Sequence, residues 1–114
     1  MINNNYLRLI EKLIDATKEN RVSWQQSSRD GEFFVDVKGY SIAVILNQKS
    51  LFSIDLDRTS YCTISIINED GVLIDTCKIT ANDEGYDKAE ALYREAKRAF
   101  YRVDEVLTEL AESL

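Results

Sequence analysis

The spacing of apolar residues changes period twice along this chain, and that change restricts its possible folds more than any single motif does. From Asn4 to Lys18 the apolar residues Tyr6, Leu9, Ile10, Leu13 and Ile14 recur at helical spacing, behind an asparagine run able to cap the first turn. Between Val22 and Asn47 the pattern alternates, with Val22 and Trp24, then Phe33, Val35 and Val37, then Ile42, Val44 and Leu46, and breaks at SSRDG and KGY. This predicts three antiparallel strands. Residues 61–67 and 72–79 alternate again around NEDG, Asn68 to Gly71, a sequence suited to a type I turn with glycine in the left-handed bulge position. From Asp83 onward the spacing is helical, with Asn82 or Asp83 as the expected cap. Its stripe holds Ala89, Leu92, Tyr93, Ala96, Ala99, Phe100, Val103, Val106, Leu107, Leu110 and Leu114.

The expected fold is therefore α+β. An antiparallel meander of four or five strands carries an N-terminal helix and a long C-terminal helix packed on one face, as a single domain over residues 1–114. Residues 47–60, NQKSLFSIDLDRTS, fit either a loop or a short edge strand. Extending the pairing of Asn68 with Val72 without interruption places Ile64, Ile66, Val72 and Ile74 on the buried face together with Cys62. The same register places Cys77 opposite Thr63 on the other face, since one residue of displacement reverses side-chain direction in a strand. Both thiols are then expected to be free.

With 114 residues the chain is long enough to bury a core without a metal or disulfide staple, and its 45% apolar and 30% charged content is ordinary for a globular domain. No run approaches the roughly 20 apolar residues of a membrane span, and MINNNYLRLI lacks the features of a signal peptide. A cytoplasmic location and no membrane partner are the expectation, which agrees with unpaired cysteines. The net charge of −6 and pI near 4.6 repel a phosphate backbone, so generic nucleic-acid binding is disfavoured.

The catalytic inventory is short. Without a histidine, histidine-activated nucleophiles and the usual zinc sites are excluded unless a partner supplies the ligand. Cys62 on the core face is expected to be inert, leaving Cys77 as the more reactive thiol. Asp55 and Asp57 point the same way on an extended segment and can bridge a divalent cation, but they equally suit two solvated carboxylates beside Arg58 while Leu56 packs inward. Neither SIDLDRTS nor NEDG matches a calcium loop, and the four glycines are scattered rather than gathered into a phosphate loop. Trp24, Tyr40 and Tyr61 offer material for an aromatic platform, although aromatics at strand positions are more often packing residues. No catalytic residue, cofactor or metal site is assigned.

Taken together, LIEKLIDATKENRVSW near the start, FFVDVKGYSIAV, the turn NEDG and LYREAKRAFYRVDEVLTEL at the end resemble a pattern of small bacterial proteins of unassigned function. Its recurrent marks here are Thr17, Trp24, Gly39, Gly71, Leu92, Tyr93 and Asp104. The resemblance implies a bacterial or phage origin and the helix, meander, helix outline, and it implies no activity. Where that pattern has a small residue before the final VD pair, this chain has Arg102, which weighs against a helix break there.

The stretch YREAKRAFYR, Tyr93 to Arg102, holds four of the fourteen basic residues against one acid. At 100° per residue, Arg94 and Arg98 lie about 160° from the apolar centre at Ala96, with Lys97 and Arg102 on the flanks. Glu90 with Arg94, and Arg102 with Glu105, are spaced to form ion pairs on that outer face. Tyr101 falls about 140° from the centre, among arginines, a composition that interface hot spots share. A helix of about 30 residues extends roughly 45 Å, far beyond the radius of gyration near 13 Å of such a domain. Either the helix bends near Arg102 to Asp104, or its end packs on a second subunit. The leading expectation is a non-enzymatic protein-interaction domain that also self-associates as a homodimer through the C-terminal helix, with Tyr101, Arg94, Arg98, Leu110 and Leu114 as contact residues. Its acidity suits an inhibitor or immunity-type neutraliser of a basic partner. The alternative is a small-ligand binder or a divalent-metal enzyme using Asp55 and Asp57.

Overall fold

A computed structural model describes residues 3–47 and 60–114, and the segment holding Asp55 and Asp57 lies outside these described residues. The chain runs α1 (Asn4–Lys18), β1 (Gln25–Gln26), β2 (Glu32–Val37), β3 (Tyr40–Asn47), β4 (Tyr61–Ile67), β5 (Leu73–Thr80), α2 (Tyr86–Tyr101) and α3 (Val103–Ser113). The strands form one antiparallel sheet in the order β1-β2-β3-β4-β5, the expected meander.

Local chemistry sets most of these boundaries. The Asn3 side chain accepts from the Asn5 N–H at 2.7 Å and so caps α1. Between β2 and β3, Lys38 and Gly39 both adopt positive φ, 53° and 85°, which makes a two-residue type I′ hairpin whose twist matches that of the strands. At NEDG, the Gly71 N–H donates to the Asn68 carbonyl at 3.0 Å, and Gly71 takes φ 81° as that turn requires. The Asn68 side chain fixes the turn further by accepting from the N–H groups of Asp70 and Val72. The expected cap of α2 is displaced. The helix begins after Gly85, and the Asp83 carboxylate instead accepts from the N–H and hydroxyl of Thr80.

The β4–β5 register departs from the uninterrupted pairing. Ile67 pairs with Leu73 as that register demands, but Ile66 pairs with Asp75, so Ile74 is an extra residue in β5. Beyond this bulge, Ile64 lies opposite Cys77 and Cys62 opposite Ile79. Cys77 therefore shares the core-facing side with Cys62, and Val72 and Ile74, expected to be buried, are more than half exposed. The reason lies at the far end of the strand, where Ile79 is wholly buried. An unbroken register would have turned Ile79 to the opposite face.

On the core side, Phe33, Val35, Ile42, Val44, Cys62, Ile64 and Ile79 face Ile10 and Leu13 of α1 and Tyr86, Ala89, Leu92, Tyr93 and Ala96 of α2. Ala89 and Ala96 are wholly buried, and their small side chains let α2 approach the strands closely. Trp24, just before β1, is also buried, and its indole N–H donates to the Thr17 hydroxyl at 2.9 Å. That hydroxyl donates to the Leu13 carbonyl at 2.6 Å, so a buried polar chain ties the first strand to the last turn of α1. Lys88 of α2 and Glu11 of α1 form an ion pair across the helix pair.

The long C-terminal helix is two helices. Arg102 adopts a left-handed conformation, φ 53° and ψ 49°, and its N–H bonds back to the carbonyls of Ala99 and Arg98, closing α2 as a left-handed cap does. The bend occurs despite the missing small residue. All five buried residues of this region lie in α2, and α3 buries none.

Candidate functional site

Because the left-handed residue redirects the chain, the apolar stripe that is continuous in sequence is divided between two environments. Tyr86, Ala89, Leu92, Tyr93 and Ala96 enter the core, whereas Val106, Leu107 and Leu110 remain 45%, 54% and 57% exposed and Leu114 fully so. Val103 is half-buried at the junction. An unpaired apolar face on a short helix is a surface that water covers poorly.

The expected contact residues separate into two groups. Arg94 pairs with Glu90 at 3.5 Å, Arg98 with Asp104 at 2.7 Å and Arg102 with Glu105 at 3.0 Å. The pairs read from the sequence between Glu90 and Arg94 and between Arg102 and Glu105 are thus present. The pair between Arg98 and Asp104 spans the bend and fixes the start of α3 against α2. Leu110 and Leu114 lie on the exposed stripe.

Tyr101 differs from its expected setting. Its ring stands edge-on to Phe100, with centroids 4.9 Å apart, and edge-on to Phe33 at 6.1 Å, and Phe33 also meets Phe100 and Tyr93. Tyr101 keeps its place on α2 beside the arginines, but its ring reaches Phe100 and Phe33 at the edge of the core. It remains 48% exposed, so one side of the aromatic cluster reaches the surface beside α3.

A groove of about 780 Å³ lies between the end of α1 and the α2–α3 junction, bordered by Lys18, Trp24, Arg98, Phe100, Arg102 and Asp104. Its two arginines are matched by Asp104 and Glu105 across the bend. Lys18 and Glu95, which also line the groove, form no ion pair among the described residues.

Sequence reasoning missed a second exposed patch, Val72, Leu73 and Ile74, at the tip of the last hairpin. The bulge turns Ile74 off the predicted face while Leu73 keeps its predicted pairing with Ile67, and no composition signal announces a bulge. The aromatic platform does not form. Trp24 is a core residue, Tyr40 stands half-exposed where the β2–β3 turn enters β3, and Tyr61 lies under the Lys78 ammonium at 4.2 Å. Both cysteines are free. Burial pushes the Cys62 thiol up to about 12, with lesser contributions from Cys77 and Glu90, and burial followed by Asp75 and Asp83 raises Cys77 as well. Neither has the positive setting that makes a thiolate at neutral pH, so Cys77 loses its standing as a reactive thiol. Among the described residues no three His, Cys, Asp or Glu side chains gather as a metal site, and no helix is long and apolar enough to cross a membrane.

No protein-family model, curated protein or solved structure matches this chain significantly. The resemblance drawn above therefore stands on the sequence alone, and each of its marks has a structural use here. Thr17 and Trp24 hydrogen-bond to each other, Gly39 and Gly71 occupy left-handed turn positions, and Leu92 is wholly buried. The Tyr93 hydroxyl donates to the Gly31 carbonyl, and Asp104 holds Arg98.

Proposed function

We propose that this chain is a non-enzymatic protein-interaction domain whose docking surface is the apolar stripe of α3, with Tyr101 at its inner end. The observation that carries this reading is that α3 buries no residue while Val106, Leu107 and Leu110 are exposed on it. A helix of 11 residues is too short to be stable in water through its own hydrogen bonds, so an amphipathic one is normally held by what its apolar side packs against. Two occupants fit such a stripe, a second copy of the chain and a different protein. A cytoplasmic setting and a role as inhibitor or neutraliser of a basic partner belong to the same reading, supported by the two free thiols and the net charge of −6.

Hydrogen exchange on the isolated chain, combined with light scattering, tests it. Rapid exchange of α3 in a monomer, or slow exchange in a dimer that Leu110→Asp dissociates, supports an interaction surface. Slow exchange of α3 in a strict monomer means the chain covers its own stripe and removes the basis of the proposal. The ligand-binding or metal-enzyme alternative gains no observation from the described residues, and a thermal-shift screen with divalent ions checks it directly.

A further inference from the structure

We infer that the occupant of α3 is a basic amphipathic helix of a different protein, laid with its apolar side on Val103, Val106, Leu107 and Leu110 and with lysines or arginines toward the acids beside that stripe. This rests on the reading of α3 as a docking surface and adds the chemistry of the partner.

Val103, Leu107, Leu110 and Leu114 are spaced by four, three and four residues, the repeat that packs against another helix at a shallow crossing angle. Between Val103 and Leu114 the chain carries Asp104, Glu105, Glu109 and Glu112 and no lysine or arginine. On a wheel of 100° per residue, Asp104 and Glu109 lie about 100° and 120° from the centre of the stripe on opposite sides, with Glu105 and Glu112 behind. Asp104 and Glu105 are neutralised by Arg98 and Arg102, whereas Glu109 and Glu112 meet no cation among the described residues. Acid therefore stands to both sides of the stripe, paired at Asp104 and Glu105 next to the bend and uncompensated at Glu109 and Glu112.

This distribution separates the two occupants. In an antiparallel pair of α3 helices each flank meets its own copy, so Glu109 faces Glu109; in a parallel pair the Glu109 flank meets the Asp104 flank. The antiparallel arrangement sets uncompensated acid against acid, and the parallel one sets Glu109 against an Asp104 already held by Arg98, so neither brings a lysine or arginine of α3 to Glu109 or Glu112. A helix with lysines or arginines beside its apolar stripe meets opposite charge in either orientation, and the net charge of −6 draws it in from a distance. The same acids turn α3 away from a membrane surface, where docking helices carry basic polar faces.

The test uses the full chain and two fluorescent peptides of about five helical turns with leucines at alternating three- and four-residue spacing. One peptide has lysine at the flanking positions and the other glutamate. In anisotropy titrations the lysine peptide should bind, weakening as salt is raised, and the glutamate peptide should bind at least about tenfold more weakly. Leu107→Asp should cost the lysine peptide about tenfold or more, and Glu109→Lys with Glu112→Lys should remove most of the salt dependence while circular dichroism stays unchanged. Equal binding of both peptides, binding indifferent to Leu107→Asp, or no binding of either overturns the inference. Light scattering in the same buffer distinguishes the two levels. A dimer dissolved by Leu107→Asp overturns the basic partner but leaves α3 a docking surface, whereas a monomer with slowly exchanging α3 overturns both.

Discussion

The indole of Trp24 has one hydrogen to donate, and a buried site must supply its acceptor. Thr17 does so while passing its own hydrogen to Leu13, which makes this position different from an ordinary core threonine. Thr17→Val keeps the shape and removes the acceptor, so it should cost about 1–3 kcal/mol, the usual penalty for a buried donor left unpaired. Thr17→Ser keeps the hydroxyl and should cost clearly less, and urea unfolding followed by Trp24 fluorescence compares the two. Equal losses would mean that packing, not the hydrogen bond, decides the position. At Cys62 the consequence is a pH dependence. Its thiol is raised from 9.0 to about 12 in the folded protein, so below pH 9.0 both states hold the proton and the thiol adds no slope. Above that, the unfolded chain releases a proton that the folded chain retains, and stability falls as pH rises toward 12. Tyr6, Tyr86 and Tyr93, all raised chiefly by burial, act in the same direction at higher pH. Cys62→Ala should flatten the early part of that decline. The readout is the slope of unfolding free energy against pH, because the substitution also leaves a small cavity that lowers stability at every pH.

At the scale of elements, the bulge in β5 lets one strand satisfy two demands that differ by a residue. The NEDG turn fixes Ile67 opposite Leu73, and the core needs Ile79 opposite Cys62. Deleting Ile74 makes both pairings continuous, so the variant should keep its fold by circular dichroism. It should also aggregate more readily, because an edge strand straightened by loss of its bulge is a more open template for pairing. The bend at Arg102 has a comparable test. A left-handed conformation costs a side-chain-bearing residue roughly 1–2 kcal/mol, so Arg102→Gly should hold the bend at equal or slightly better stability despite losing the Glu105 pair. Arg102→Ile should favour one continuous helix and enlarge the radius of gyration by solution scattering relative to the parent chain. Where local signals agreed, the sequence was sufficient. Cap and periodicity both bound α1 at Asn4 and Lys18, and the turn at NEDG follows from its residues. The β5 register was hidden because it depends on Ile79, far from the turn, and the division of α2 from α3 because a 3.6-residue stripe looks the same on both sides of one left-handed residue. Leu110 and Leu114 were legible as apolar residues needing cover. The exposure of Tyr101 was legible, but its contact with Phe33 was not, because a helical wheel shows one helix and not the strand beside it.

For the whole molecule, the radius of gyration of 15.3 Å exceeds the value near 13 Å for a compact chain of this length, and extents of 45 × 40 × 26 Å show that the excess is not uniform. The core layers gather Phe33, Ile64, Leu92 and their neighbours on one sheet face, and α3 meets that body chiefly through α2 at the bend. On the proposed reading, folding and docking fall to different parts of the same apolar stripe. Stability should then be indifferent to α3. Leu107→Asp and Leu110→Asp each replace a side chain already more than half exposed and should shift unfolding free energy by no more than about 0.5 kcal/mol. Ile64→Ala, at a wholly buried position between Val44 and Cys77, should cost about 2–5 kcal/mol. Denaturant unfolding of these three variants, with hydrogen exchange showing α2 protected and α3 open in the parent, measures the separation directly. If the α3 substitutions cost as much as the core one, the helix belongs to the folding unit, and the exposed leucines are not free to meet a partner.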